Sequence, residues 1–285
     1  MKPIQTKNRK RWAGRLLTTV LVLGMLLPMA ACSEKEKEGM KSDVENDRIG
    51  QLCVFVDSSL GPVMTELKHA YESDHPGLTL ALTVDSSEKL VLRIKNGERC
   101  DLLMVDSKEV LETIEELVFP DSITDVMEER IVLAASRDNP KKVKDLDDCA
   151  CRLNEGDLIL AVDDRNAAVL SRARKILNYY KCNATDLANE RSIWFCADGQ
   201  KTVDAVCFGE CDCGLLRESD AVRGDVQILD RSSDEMCPPV ILQAAVLTDS
   251  RYRDGCMMFL DYLWTETGRQ IITKSGFSPA AIRNH

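Results

Sequence analysis

Short apolar runs alternate with helical stripes along most of the chain. Leu52–Val56 (LCVFV) reads as a strand, and Leu60, Val63, Met64, Leu67, Ala70 and Tyr71 follow at helix spacing. Leu78–Val84 (LTLALTV) is a second strand, Leu90, Val91 and Ile94 stripe a second helix, and Asp101–Val105 (DLLMV) is a third strand. The pattern resumes with Ile131–Ala135, Leu158–Val162 and a helix striped by Ala167, Leu170, Ala173, Leu177 and Tyr180. Ser192–Ala197 and Val226–Leu229 read as further strands flanking a helix over Thr202–Phe208. The long apolar run Val240–Leu247 precedes one amphipathic helix carrying Cys256, Phe259, Leu260 and Leu263. Strand-helix alternation of this kind predicts an α/β architecture with mostly parallel strands. No repeat of solenoid length is present.

The first residues do not fit that pattern. Lys2, Lys7, Arg9, Lys10, Arg11 and Arg15 precede the apolar run Leu16–Leu27, which is shorter than the ~20 residues that span a bilayer. Residues 1–31 therefore read as a signal peptide. Residues 32–50, highly charged and without apolar periodicity, read as a flexible tether. About 235 residues remain, enough for one large or two small domains.

Charge and cysteine content narrow the classes of function. The chain has 47 acidic against 37 basic residues, and losing the six basic residues before Cys32 increases the acidic excess. Binding to nucleic acid through bulk charge is thereby disfavoured, and any anion must be held by local donors. Of twelve cysteines, eleven follow Cys32, an odd number that forbids complete pairing within one molecule. Cys149-Ala-Cys151 and Cys207-x3-Cys211-x-Cys213 lack zinc-knuckle spacing, which leaves buried thiols or one or two disulfides. There is no HExxH, phosphate-loop or Gly-x-Ser-x-Gly motif, and His69, His75 and His285 offer no well-placed base. An enzyme is not expected, and no cofactor is implied.

Val-Asp-Ser-Ser occurs twice, at Val56–Ser59 and Val84–Ser87, each time where a strand hands over to a helix. Serine caps helix N-termini, and the free amides of a first helical turn attract anions. Two such turns at the carboxyl edge of a parallel sheet can aim donors at one small ligand, or each serine can simply cap its own helix.

On these residues the chain resembles the molybdate-binding substrate-binding proteins of ABC importers. Val56-Asp57-Ser58-Ser59-Leu60 stands where such proteins have a strand followed by Ala-Ala-Ser-Leu, and Ser86-Ser87-Glu88-Lys89-Leu90 matches Ser-Ser-x-x-Leu. Cys100-Asp101-Leu102-Leu103 echoes their next strand. Phe208-Gly209-Glu210-Cys211-Asp212-Cys213-Gly214 echoes Ser-Gly-Glu-Ala-Asp-Ala-Gly, and Ser275-Gly276-Phe277 echoes a terminal Tyr-Gly-Phe. Met29-Ala30-Ala31-Cys32 resembles a lipobox, which would make Cys32 the lipid-attachment residue. An ordinary signal peptide cut near Ala31 is the alternative.

This resemblance implies a two-lobed periplasmic-binding-protein fold of type II, with mixed, mostly parallel sheets, flanking helices and two crossover strands. Lobe 1 would span residues 51–129 and 245–285 and lobe 2 residues 130–244, with Ile131–Ala135 and Val240–Leu247 as the crossings. It implies a monomer held outside the cytoplasm by a lipid at Cys32, capturing a tetrahedral oxyanion, molybdate or tungstate, for an ABC permease and ATPase. Ser59 and Ser87 would supply hydroxyls and amides, and Val169 and Gly199 backbone donors. Arg217, where the family commonly has tyrosine, could clamp the anion through its fixed donors and permanent charge or swing to solvent. Asp57, Asp85 and Glu88 replace small residues beside the two serine turns and would repel a dianion. They leave open a different small ligand, or a sensor lipoprotein without a transport role.

Overall fold

The computed structural model describes residues 50–189 and 191–280. The signal segment, Cys32 and the tether up to residue 49 lie outside the described residues, as does the C-terminal end from residue 281.

The first βαβαβ unit forms as its periodicity predicts: β1 (Gly50–Asp57), α1 (Gly61–Asp74), β2 (Leu78–Asp85), α2 (Ser87–Lys95) and β3 (Leu102–Val105). Next come α3 (Lys108–Glu112), β4 (Thr124–Glu129), β5 (Ile131–Ser136), α4 (Leu146–Asn154), β6 (Leu160–Asp163), α5 (Ala167–Tyr179), α6 (Ala184–Asn189) and β7 (Ile193–Cys196). The chain continues through α7 (Gly199–Cys207), β8 (Cys213–Arg217), α8 (Glu218–Arg223), β9 (Val226–Arg231) and β10 (Val240–Val246). It closes with α9 (Arg253–Leu263), α10 (Glu266–Lys274) and β11 (Ser278–Pro279).

Among the described residues these strands form two sheets, in the orders β11-β4-β10-β3-β1-β2 and β7-β6-β8-β5-β9. β1 runs parallel to β2 and β3, and β6 parallel to β7 and β8. The strands nearest the crossings, β4, β10, β5 and β9, pair antiparallel. Each sheet is buried on both faces because its strands alternate between two apolar clusters. In β1, Leu52, Val54 and Val56 pack with α1, α9 and α10 residues such as Met64, Phe259 and Ile272, while Phe55 packs with Leu90 and Leu103 on the opposite face. β5 divides in the same way, with Ile131 and Leu133 on one face and Val132 and Ala134 on the other. Each fully buried Leu, Val or Phe contributes ~1.5–3 kcal/mol, and each sheet packs into its own apolar clusters.

The chain passes from the first sheet to the second at Arg130, between β4 and β5, and returns through Ser232–Pro239. β10, expected to cross between lobes with a boundary at residues 244 and 245, instead pairs along its whole length with β3 and β4 of the first sheet. The single C-terminal helix of the sequence pattern is two. α9 stops at Leu263, and Thr265 opens α10 by accepting a hydrogen bond at its Oγ1 from the Gly268 amide at 3.2 Å.

Candidate ligand-binding cleft

The serine turns lie side by side, because β1 and β2 are paired with Asp57 opposite Asp85. Their donors converge on Asp57. Its Oδ1 accepts the Ser59 amide at 2.9 Å and the Ser59 hydroxyl at 2.8 Å, and its Oδ2 accepts the Ser87 amide at 3.0 Å and the Ser87 hydroxyl at 2.6 Å. Asp57 is 5% exposed and Ser87 2%. Asp85 turns away from this arrangement, accepting from the Ser86 amide and from Lys89, and these hydrogen bonds hold its carboxyl below the ordinary range. The two aspartates of the repeated tetrapeptide therefore play different parts.

Asp106, just past β3, lies beside Asp57, its Oδ1 3.3 Å from the Ser87 hydroxyl. Burial and then the Asp57 charge push its carboxyl up, while Arg217 pulls it down. Asp106 directly follows the third strand, as Asp57 and Asp85 end the first two, and extending the strand-end rule by one strand would have found it in the sequence.

On the second sheet, α5 begins at the cleft. The Asn166 side chain accepts from the Ala168 and Val169 amides, both at 3.1 Å, and Asp163 accepts from the Arg165 and Asn166 amides. Val169 lines the cleft, but its amide is thus already engaged. Gly199 opens α7 and does not line the cleft. A Cβ added there would lie 2.3 Å from Asp220 Oδ2, so a carboxylate already sits against this turn too.

Arg217 ends β8 and lines the cleft. Among the described residues its guanidinium makes no hydrogen bond or ion pair, although its charge is felt at Asp106, Glu129 and Asp220. Glu129, the last residue of β4, is 3% exposed and accepts a hydrogen bond from the Ser219 hydroxyl. Burial pushes its carboxyl up to about 7, against the opposing pull of Arg217 and Ser219. Gly276 closes this corner. At φ 84° it lies so near the start of α8 that a Cβ would sit 2.7 Å from the Ser219 Cα and 2.8 Å from the Glu218 carbonyl oxygen. Only glycine combines that backbone conformation with that approach.

Between the sheets these residues enclose a cavity of about 620 Å³, within the range of small-molecule sites. The first-sheet wall carries Asp57, Glu88, Asp106 and Glu109. The second-sheet wall carries Arg165, Arg172 and Arg217, and Glu129 and Arg130 lie at the crossing. The serines on the wall are Ser58, Ser86 and Ser107, whereas Ser59 and Ser87 donate to Asp57. Sequence reasoning missed Asp106, Glu129, Arg165 and Arg172. Among the described residues no group of three or more His, Cys, Asp or Glu side chains is placed to hold a metal ion, and no described cysteine is in a disulfide.

Two sheets with separate cores, joined by short crossings around a charged cavity, define a two-lobed α/β binding protein. The chain belongs to the bacterial extracellular solute-binding protein family, whose sequence profile matches residues 52–278. Solved structures similar to it include a substrate-binding domain assigned to a molybdenum ABC transporter of Clostridium difficile, at 20% identity and a TM-score of 0.71, covering 81% of this chain and 99% of that one. The periplasmic molybdate-binding protein of Azotobacter vinelandii is 13% identical with a TM-score of 0.62, covering 81% and 100%. The tungstate-binding protein of Desulfovibrio alaskensis is 14% identical with a TM-score of 0.61, covering 81% and 99%. At these identities the likeness is one of fold. No curated protein matches the sequence.

Proposed function

We propose that this protein is the extracytoplasmic solute-capturing subunit of an ABC importer, anchored by lipid at Cys32, and that its solute carries an anionic group engaged by Arg217 in the cleft. The observation that carries this reading is a guanidinium without a hydrogen bond or ion pair among the described residues, on the wall of a cavity that a solute-binding fold places between its lobes. Arginine in that position offers a bidentate, charge-assisted site for a carboxylate or phosphate. The acidic wall opposite, with Asp57, Glu88, Asp106 and Glu109, favours a small organic anion whose other end presents a cation or hydrogen-bond donors. Closure then follows from the ligand touching both walls only in the closed form.

A second reading, capture of molybdate or tungstate, is favoured by the paired serine turns and by the ligands named for the similar structures. It requires Asp57 to release both serines.

Melting midpoints measured against molybdate, tungstate, sulfate, phosphate, small carboxylates and small aminocarboxylates test both readings. A ligand present at 100 times its dissociation constant adds about 2.7 kcal/mol to stability. The expected result is a rise with an organic anion that Arg217→Gln abolishes. If no anion moves the midpoint, or the variant responds like the parent, Arg217 is not the anion site.

A further inference from the structure

The four donors of the two serine turns form a nest of the kind that holds a free oxyanion, with two amides and two hydroxyls converging from adjacent helix starts. In this chain the nest is full. Each Asp57 oxygen receives one N–H and one O–H, at 2.6–3.0 Å, and the carboxylate is almost entirely buried. An ionised carboxylate has no hydrogen to offer, so what it presents to the cleft is negative charge and acceptor lone pairs. Asp106 and Glu88 extend the same character along the wall. A tetrahedral dianion entering here would meet acceptors where it needs donors.

At the other turns expected to bind the anion, the Asn166 side chain accepts the Val169 amide, and the Asp220 carboxylate lies against Gly199. Groups belonging to the chain thus take the place of ligand oxygens at the two serine turns and at Val169. Asp57 is the one that fills a whole nest alone.

We propose that Asp57 is a tethered occupant of the oxyanion nest and sets the specificity of the cleft, shutting out bare tetrahedral dianions. The proposal rests on the reading of this cavity as the solute site and decides between its two ligand classes. Asp57 acts by filling donors and by charge. Replacing it with a small neutral residue therefore empties the nest and converts the cleft into a dianion site.

The test is a calorimetric titration of tungstate into the full chain and into Asp57→Ala, with Asp57→Ser and Asp57→Asn as further variants in case alanine compromises folding. Circular dichroism confirms which variants fold. The expected result is that Asp57→Ala or Asp57→Ser binds tungstate at least about tenfold more tightly than wild type, the least that removing one contacting like charge and freeing four donors should give. Asparagine, whose Oδ1 accepts at one serine turn while its NH2 faces the donors of the other without charge, falls between. Wild type binding tungstate as tightly as the alanine or serine variant overturns the proposal. So does a folded alanine or serine variant that ignores tungstate. Adding Arg217→Gln to the alanine variant separates this proposal from the one it rests on. Tungstate binding that is gained on emptying the nest but indifferent to Arg217 leaves Asp57 as the specificity residue and removes Arg217 as the anion's partner.

Discussion

Glu129 makes stability and ligand binding depend on pH in a direction that can be worked out. It is buried at the crossing between sheets, with the Ser219 hydroxyl as its hydrogen-bond donor and the Arg217 charge opposing the rise, and its carboxyl goes from 4.5 to about 7. Between those values the folded protein keeps a proton that the unfolded chain has lost. Stability from this group is therefore full below pH 4.5 and is lost as pH rises through 7. The displacement corresponds to about 3 kcal/mol, of which about 2–3 kcal/mol disappears between pH 5 and pH 8. Other carboxyls run the opposite way. Asp157 and Glu98, for instance, are held low by arginine, so the raw stability curve is a mixture. Glu129→Gln keeps the shape and the acceptor for Ser219 but does not titrate. Urea unfolding of both proteins at pH 5, 6, 7 and 8 isolates the group: wild-type stability minus variant stability should fall by about 2–3 kcal/mol across the series. A difference that stays flat would refute the placement of a protonated acid at this crossing. The same logic reaches the ligand, because an anion that neutralises Arg217 removes the pull that lowers Glu129. Binding near pH 7 should then take up protons, visible as a buffer-dependent heat of binding.

Two further outcomes follow from the packing. Gly276→Ala combines an unfavourable left-handed backbone, costing ~1–2 kcal/mol, with a close approach to the start of α8, so a loss of about 2–4 kcal/mol in urea unfolding is expected. Weaker binding should accompany it, because Ser219 follows Arg217 by two residues. Thiol labelling of the native protein should show one fast cysteine among the eleven described, the exposed Cys151. Burial raises Cys256 and Cys211 to about 12 and keeps them protonated and slow until the protein is unfolded.

The α/β framework was legible in the sequence wherever a strand is a continuous apolar run. Leu52–Val56, Leu78–Val84 and Leu158–Val162 announce themselves in this way, and the first helix carries a stripe that matches the buried positions Leu60, Val63, Met64 and Leu67. β4 was not legible. Thr124–Glu129 offers only Val126 and Met127 as an apolar signal, and its strand state comes from pairing with β10 across a register shift at Leu242 and Gln243. Nor was the split between α9 and α10, where no proline marks the break and the corner is made by the Thr265 cap and the close approach of Gly268 to the end of α9.

At the site, the serine turns and Arg217 could be located because strand ends and helix starts are visible as pattern. What fills the turns was hidden. An N-cap rule says where donors lie, not whether a neighbouring side chain will reach back to use them. The Asp57 oxygens reach Ser87, thirty residues on, as well as Ser59, a contact made by the pairing of β1 with β2.

A crystal structure of the protein with the anion that most raises its melting midpoint would show whether Arg217 holds that anion. The expected density puts the anionic group within hydrogen-bond distance of the Arg217 guanidinium, with Asp57 still bonded to Ser59 and Ser87. An anion seated in the serine turns, with Asp57 swung out and Arg217 unengaged, would contradict it.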